Sequence, residues 1–143
     1  MKKGVDFAGI AVVFFCHDGN GNYLFNLRSK KCRDEHEKWD VGGGGKKLHE
    51  SAEDALRREL WEEYCVDPIQ FEEIGFRSNQ RTEPDGTLTD RVHLDYKVLI
   101  DPKKVRNGEP DKAEKLKWFS LDNLPENLHS CLPEAFEKYK NVL

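Results

Sequence analysis

The sequence predicts one α/β domain in which helices cover both faces of a mixed β-sheet. Three of its features lead to this fold class. Short apolar segments, separated by turn signals, are interleaved with helix-like segments along the chain. The 143 residues are enough to bury about 70% of the unfolded surface in one core. No repeat, linker or low-complexity tract divides residues 1–143 into smaller units, so we expect a single domain.

The first third of the chain predicts a hairpin, a loop and a glycine run. Residues 7–16 form a mostly apolar segment that reads as a largely buried strand. The turn signal HDGNGN follows, and residues 23–28 supply the partner strand of the hairpin. A charged loop at 29–38 then leads to Trp39 and four consecutive glycines at 42–45.

The remaining segments predict two helices and three more strands. Ser51 can cap a helix of about four turns, with Asp54 three residues on as an imperfect capping box. Residues 71–81 and 88–100 predict a long hairpin, in which Pro84 belongs to the turn at 83–86. Residues 115–120 form a short strand with Trp118 and Phe119 in the core. Residues 133–142 predict a closing helix with proline in its first turn.

The first of these helices carries acidic residues on an unusual face. Residues seven apart return to almost the same side of a helix, about 20° short of two full turns. The apolar positions 52, 55 and 56 in the first half therefore lie above Glu59, Glu62 and Glu63 in the second half. An acidic surface helix remains an alternative, in which Arg58 and Glu62 form an ordinary i,i+4 pair.

The glycine run favours a metal site over a surface helix. Four glycines forfeit side-chain packing and cost ordering entropy, so they suit a loop whose backbone must approach another group closely. Three inward carboxylates facing bare backbone have the character of a divalent-cation site. Hard oxygen ligands select Mg²⁺ or Mn²⁺, and substrate phosphates complete the open, water-rich shell of magnesium.

The spacing of these residues resembles the Nudix box, G-x5-E-x7-R-E-U-x-E-E-x-G-U, where U is aliphatic. Gly44, Glu50, Arg58 and the three glutamates occupy its fixed positions, and Leu60 and Val66 occupy its aliphatic ones. One fixed position departs from the pattern, because Cys65 ends the predicted helix where the family's glycine would accept a left-handed conformation. The stretch EPDKAEKLKWFSLDNLP also resembles the end of many Nudix domains, so the likeness spans most of the chain.

The resemblance implies the Nudix-type α/β/α sandwich and a set of residue roles. Glu59 and Glu63 would be the principal metal ligands, the carbonyl of Gly43 would be another, and Glu62 would be a ligand or the catalytic base. Arg58 and Glu50 would form an ion pair that orients this array. A helix-anchoring salt bridge without catalytic importance is the alternative for that pair.

Outside the box, the resemblance implies weaker assignments. Arg28, at the end of the second strand, stands where many relatives bind a phosphate, although an edge arginine is commonly just solvated. Glu114 precedes the last strand, where related enzymes often supply one more acid to the metals. Gly44 and His93 are further candidates for contact with the substrate. A purely structural role is the alternative for His93, which alternates with Leu94 and Tyr96 along its strand.

The composition limits which partners the protein can bind and which cellular compartment suits it. With 27 acidic and 23 basic residues, the net charge of −4 argues against a general nucleic-acid binder. Four cysteines without CxxC spacing or a zinc pattern favour a reducing, cytoplasmic setting. No segment has the roughly 18 apolar residues that predict a membrane span. The apolar start imitates a signal peptide, but Asp6 and Gly9 interrupt it and no A-x-A-like site follows.

Two classes of function follow from the sequence. The first is Mg²⁺-dependent hydrolysis of a nucleoside diphosphate linked to another group, such as a nucleoside triphosphate, ADP-ribose or a dinucleoside polyphosphate. The alternative is a non-catalytic nucleotide-sensing or interaction module on the same fold, which would ordinarily have lost one of the glutamates. An isomerase of isoprenoid diphosphates is a minor third option, which the short chain and the near-complete hydrolase box disfavour. The sequence carries no signal for an oligomeric state.

Overall fold

A computed structural model describes residues 1–143 and contains seven strands and two helices. The first four strands are β1 (Gly9–His17), β2 (Asn22–Arg28), β3 (Trp39–Asp40) and β4 (Gly42–Gly45). Helix α1 (Ala52–Tyr64) follows the glycines. Two long strands, β5 (Gln70–Thr82) and β6 (Leu88–Leu99), precede the last strand, β7 (Ala113–Ser120), and helix α2 (Leu132–Lys138).

The strands form one mixed sheet. β1 lies at its centre and pairs in parallel with β6 along its whole length, from Gly9 opposite Arg91 to His17 opposite Leu99. β5 pairs antiparallel with β6 and forms one edge. On the other side of β1, β4 pairs antiparallel with it, and β2 pairs with both β3 and β7. The mixed sheet is therefore confirmed.

The two helices lie on opposite faces of this sheet. Alternate side chains of β1 point to opposite sides, so Val12 and Phe14 pack with the buried side of α1, including Leu56 and Leu60. Their neighbours on β1 belong to a second core cluster that includes Leu132, Ala135 and Tyr139 from the region of α2. Two apolar cores separated by one sheet give the predicted α/β/α sandwich.

Helix α1 begins and ends as the sequence predicts. The amide of Asp54 donates to Ser51 Oγ at 3.0 Å, so Ser51 is the N-cap. Cys65 takes the left-handed conformation, with φ 58° and ψ 33°, and its amide donates to the carbonyl of Trp61. The hairpin turn is also confirmed, because the Gly86 amide donates to the Glu83 carbonyl at 2.9 Å.

Three predictions about the chain path were wrong in detail. The glycine run is a strand, because the backbone of β1 offers it a free edge from Ala11 to Phe14. The first hairpin holds only at its turn, where His17 lies opposite Tyr23, since β4 occupies the rest of that edge. Helix α2 ends at Lys138 and gives way to turns around Tyr139, so it is shorter than predicted. No helix has both the length and the apolar character needed to cross a membrane.

Candidate active site

A cavity of about 620 Å³ lies between β4, which we call the glycine strand, helix α1 and the part of the β5–β6 hairpin nearest its turn. Its floor includes Ala11 and Val13 of the central strand β1. Glu59, Glu62 and Glu63 line one side, whereas arginines from β2, β5 and β6 line other parts of the wall. The cavity is large enough for a small-molecule ligand of nucleotide size.

The core fixes the rotation of helix α1 and thereby directs its acids to the glycine strand. Leu56, Leu60 and Tyr64 are almost fully buried in the core cluster on this face of the sheet. Because neighbours at i,i+3 and i,i+4 share a helix face, Glu59 and Glu63 lie together beside this apolar stripe. The helix consequently presents two carboxylates to β4 without any loop having to position them.

Glu63 is held directly by the strand. The amide of Gly43 donates to Glu63 Oε2 at 2.9 Å. Burial, and then the charge of Glu59, raises the pKa of the Glu63 carboxyl well above its usual range, although the amide hydrogen bond opposes this. A carboxylate in this position is short of positive charge, and a bound cation would supply it.

Glu59 lies against Gly44 so closely that a side chain at position 44 would displace the Glu59 carboxylate. A Cβ atom at position 44 would be 2.2 Å from Glu59 Cδ and 2.3 Å from Glu59 Oε2. Burial also raises the pKa of Glu59, against the opposing effect of Arg58. The predicted close approach of bare backbone to another group is therefore present, and that group is a carboxylate.

Arg58 is the cation that the acids share. Its guanidinium binds both oxygens of Glu50, at 2.7 and 2.9 Å, and donates to the carbonyl of Gly45 at 3.0 Å. Nη1 lies 2.7 Å from Glu59 Oε1 and 3.4 Å from Glu62 Oε2. The hydrogen bonds from Arg58 lower the pKa of Glu50 to about 2. The expected ion pair between Arg58 and Glu50 is thus present and tied to both β4 and the acids.

The arrangement fits a hard divalent cation. As the side chains stand, no three His, Cys, Asp or Glu groups are gathered closely enough to hold a metal. In this arrangement Arg58 Nη1 lies 2.7 Å from Glu59 Oε1 and 3.4 Å from Glu62 Oε2. The donors are all oxygens, and the raised pKa values of Glu59 and Glu63 reflect buried charge that a cation would stabilise. Mg²⁺ and Mn²⁺ are the metals that suit such a donor set.

The structure does not bring the predicted fourth acid, Glu114, to the cavity. Side chains alternate along β7, and because the buried Ala113 lines the cavity, Glu114 projects away from it and is exposed. Glu109, five residues earlier, lines the cavity instead. After burial and Glu59, its charge is among the causes that raise the pKa of Glu63. Asn107 Oδ1 accepts the Glu109 amide, in an N-G-E-P turn that the sequence shows.

Arg28 lines the cavity, but its donors are already engaged. Nε and Nη2 donate to the carbonyl of Asp34, Nη2 lies 3.0 Å from Asp34 Oδ1, and Nη1 lies 3.6 Å from Asp40 Oδ2. His93 also lines the cavity, and burial lowers its pKa to about 4, so its ring is neutral at pH 7. A phosphate contact would require Arg28 to exchange a partner, whereas His93 is suited to a neutral hydrogen bond.

Sequence reasoning missed a buried ion pair beneath the cavity. Arg77 on β5 binds both oxygens of Asp95 on β6, at 2.7 and 2.8 Å, and Tyr139 Oη donates to Asp95 Oδ2. Asp95 is completely buried, and Arg77 is 7% exposed. The signal was available, because an aspartate in the centre of the apolar strand HLDYKVLI requires a partner.

Comparison with known proteins agrees with this geometry. The model of the NUDIX domain matches residues 8–139. The structure is similar to that of a MutT NUDIX hydrolase from Burkholderia pseudomallei, with a TM-score of 0.80, 25% identity, and coverage of 92% of this chain and 98% of that chain. A MutT protein from Methanosarcina mazei Go1 shares the fold, with a TM-score of 0.79, 22% identity and 93% coverage of both chains.

Proposed function

The chain belongs to the Nudix family as a pyrophosphohydrolase, and we propose that it hydrolyses, with Mg²⁺, a nucleoside diphosphate linked to another group. Nucleoside triphosphates, ADP-ribose and dinucleoside polyphosphates are the candidate substrates. The proposed setting is the cytoplasm, as the cysteine pattern predicts. The observation that supports this proposal most directly is the pair of buried carboxylates, Glu59 and Glu63, facing bare glycine backbone.

The acids would hold the cation and manage the proton. Glu59 and Glu63 would be its ligands from α1, the carbonyl of Gly43 would be a backbone ligand, and Glu109 would add charge from the loop before β7. When bound, Mg²⁺ neutralises phosphate oxygens and helps to orient and activate the attacking water. Glu62 is 45% exposed at the cavity wall, so it has room to accept the proton of that water.

Arg58 and Glu50 would act through position. Their bidentate pair spans from the loop before α1 to the middle of the helix, and the Gly45 carbonyl ties it to β4. This fixes Arg58 Nη1 beside Glu59 Oε1 and so sets where the second oxygen of Glu59 points. We expect loss of the pair to reduce turnover by displacing Glu59, with no direct contact between Glu50 and substrate.

Replacing Glu59 with Gln tests the proposed chemistry. The substitution preserves shape and removes one negative charge that is needed in the transition state. We expect turnover to fall on the order of 10²-fold or more, with a much smaller change in nucleotide affinity. Glu53→Gln is the matched control, because Glu53 lies on the same helix but is exposed and pairs only with Arg57.

The assay should screen nucleoside diphosphate derivatives with Mg²⁺ and identify products by chromatography, since the products reveal which bond is cut. Turnover that survives Glu59→Gln within about twofold would contradict the role of Glu59. A wild-type protein that binds nucleotide but turns over none of the diphosphates would instead be a nucleotide sensor. In that case Glu59→Gln is expected to bind nucleotide as tightly or more tightly, because repulsion is relieved.

A further inference from the structure

A turn formed by residues 2–7 holds Lys3 at the end of the glycine strand. The turn is closed by hydrogen bonds from the amides of Val5 and Asp6 to the carbonyl of Lys2, at 3.1 and 2.8 Å. The amide of Asp90 on β6 donates to the carbonyl of Gly4 at 2.7 Å and so fastens the turn to the sheet. Lys3 is consequently a positioned residue, although its side chain is exposed.

The ammonium group of Lys3 lies over Gly45. Nζ donates to the carbonyl of Lys46 at 3.3 Å and lies 3.3 Å from where a Cβ of residue 45 would stand. Gly45 lines the cavity, and it is two residues along the same strand from Gly43, whose amide holds Glu63. Two residues of extended strand span about 7 Å, so the Gly45 position beside Lys3 lies about that far along β4 from the Gly43 amide that holds Glu63.

Arg91 occupies the adjoining wall of the cavity. Its guanidinium passes beside Gly4 and Gly9, where added Cβ atoms would be 3.4 Å from Nη2 and Nη1, respectively. The Cγ of Lys3 lies 3.3 Å from the same Cβ position at Gly9, so the two basic side chains run next to each other. The glycines at 4 and 9 thus leave room for two cations side by side, of which Arg91 lines the cavity.

These two cations have no acidic partner. The other arginines of the cavity are paired: Arg28, Arg33 and Arg81 bind Asp34, and Arg77 binds Asp95. No carboxylate lies within ion-pair distance of Lys3 or Arg91 anywhere in the chain. In a protein with a net charge of −4, two adjacent unpaired cations beside a cavity are suited to an anionic ligand group.

We propose that Lys3 and Arg91 bind a phosphate group of the substrate next to the one that reacts at the acid cluster. This inference rests on the proposed hydrolase function and narrows its substrate class. An anionic terminal group, as in a nucleoside triphosphate, gains two charge-assisted hydrogen-bonding partners there. The neutral sugar of a nucleoside diphosphate sugar gains neither, so the enzyme prefers nucleoside triphosphates.

The test compares two substrates that share an adenosine diphosphate portion, ATP and ADP-ribose. Lys3→Met and Arg91→Met each remove one cation and keep much of the apolar stem. We expect each substitution to lower kcat/KM for ATP on the order of 10-fold and to change it for ADP-ribose by less than about twofold. Lys2→Met is the control, because Lys2 is an exposed lysine of the same turn and its carbonyl, not its side chain, closes that turn.

A second measurement keeps the outcome independent of turnover. Inorganic tripolyphosphate is titrated calorimetrically into metal-free wild type, both single variants and Lys2→Met, after circular dichroism has shown that each is folded. Affinity that falls about 10-fold in Lys3→Met and Arg91→Met, but not in Lys2→Met, supports the anion site even if the wild type is inert on both nucleotides. Equal kcat/KM losses on ATP and ADP-ribose, no loss at all, or unchanged tripolyphosphate affinity would overturn it.

Discussion

Two charged clusters lie beside the same cavity and differ in how completely their charges are paired. In the cluster at α1, one guanidinium, that of Arg58, is shared among Glu50, Glu59 and Glu62, and Glu63 has one backbone amide. In the cluster between β5, β6 and α2, Arg77 and Tyr139 together satisfy both oxygens of Asp95. The first cluster has carboxylate oxygens free to bind, and the second has none.

This difference separates function from stability. Incomplete pairing costs folding free energy but leaves ligands available for a cation and a substrate. Complete pairing in a buried network makes the position of every member depend on the others, so loss of one leaves an uncompensated charge. We therefore expect substitutions at α1 to change turnover and substitutions in the Asp95 network to change the free energy of unfolding.

The largest effect on stability is expected for Asp95→Asn. The substitution leaves the guanidinium of Arg77 buried without its counter-charge, which typically costs about 3–5 kcal/mol. Urea unfolding of the variant measures the loss. Asp90→Asn is the matched control on the same strand, because Asp90 is exposed and the substitution keeps its backbone amide, which donates to Gly4, so its effect should stay within about 0.5 kcal/mol.

A double variant sharpens this prediction. Replacing Arg77 with Met and Asp95 with Leu removes both charges together and should recover much of the stability lost in Asp95→Asn. Additive losses from the two positions would contradict the view that the pair matters as a unit. An unfolding free energy for Asp95→Asn equal to that of Asp90→Asn would contradict the structural role altogether.

An intermediate effect on the unfolding free energy is expected from Mg²⁺ binding, and it should depend only on the α1 cluster. The metal-free protein should be folded, and Mg²⁺ at about 100 times its dissociation constant should add about 2.7 kcal/mol to the unfolding free energy. Calorimetric melting with EDTA or Mg²⁺ measures the increment. It should shrink in Glu63→Gln and persist in Asp95→Asn. A melting temperature unchanged by saturating Mg²⁺, with and without nucleotide, would contradict a metal site on this helix.

The fold could be predicted from sequence wherever the pattern is local. Ser51, the spacing of apolar residues and Cys65 define α1 from its own residues, and the structure has all three as expected. The path of the glycine run could not be predicted, because glycine has no side chain to report a pairing partner. Helix α2 ends before Tyr139, whose hydroxyl donates to Asp95 on a distant strand, and no local pattern shows that contact.

The candidate site could likewise be predicted only where its residues lie close together in the sequence. Arg58 and Glu59 could be placed side by side from helical spacing, and the pairing with Glu50 from the family resemblance, because one short segment contains all three. Glu114 was predicted to reach the cavity, whereas Glu109 lines it, because the outcome depends on which side of β7 faces the cavity. Lys3 and Arg91 are 88 positions apart in the sequence and lie side by side because Gly9 of β1 is opposite Arg91 of β6. No local sequence pattern contains this proximity.

The smallest effect is expected at Cys65, which ends α1 with a positive φ angle. A residue beside the Asp95 ion pair also has a positive φ angle, and the two positions carry different residue types. Beside the Asp95 network, positive φ falls on a glycine, Gly75, whose Cβ would be 2.9 Å from Tyr139 Oη. At the end of α1, Cys65 adopts φ 58° with a side chain, which costs about 1 kcal/mol relative to glycine. Cys65→Gly should therefore raise the unfolding free energy. The increase should not exceed about 1 kcal/mol, because the greater freedom of glycine in the unfolded chain offsets part of the gain.

Cys65→Ala separates the backbone from the thiol, since alanine keeps the Cβ and removes the sulfur. If strain dominates, Cys65→Gly will be the more stable of the two variants in urea, and both will retain wild-type turnover. The alternative is that packing of the thiol stabilises this region. Cys65 Sγ lies 3.1 Å from the Cβ position of Gly108, in the loop that leads to Glu109. A Cys65→Gly variant that is less stable than wild type and loses activity would show that this packing, and not the helix end, decides what stands at position 65.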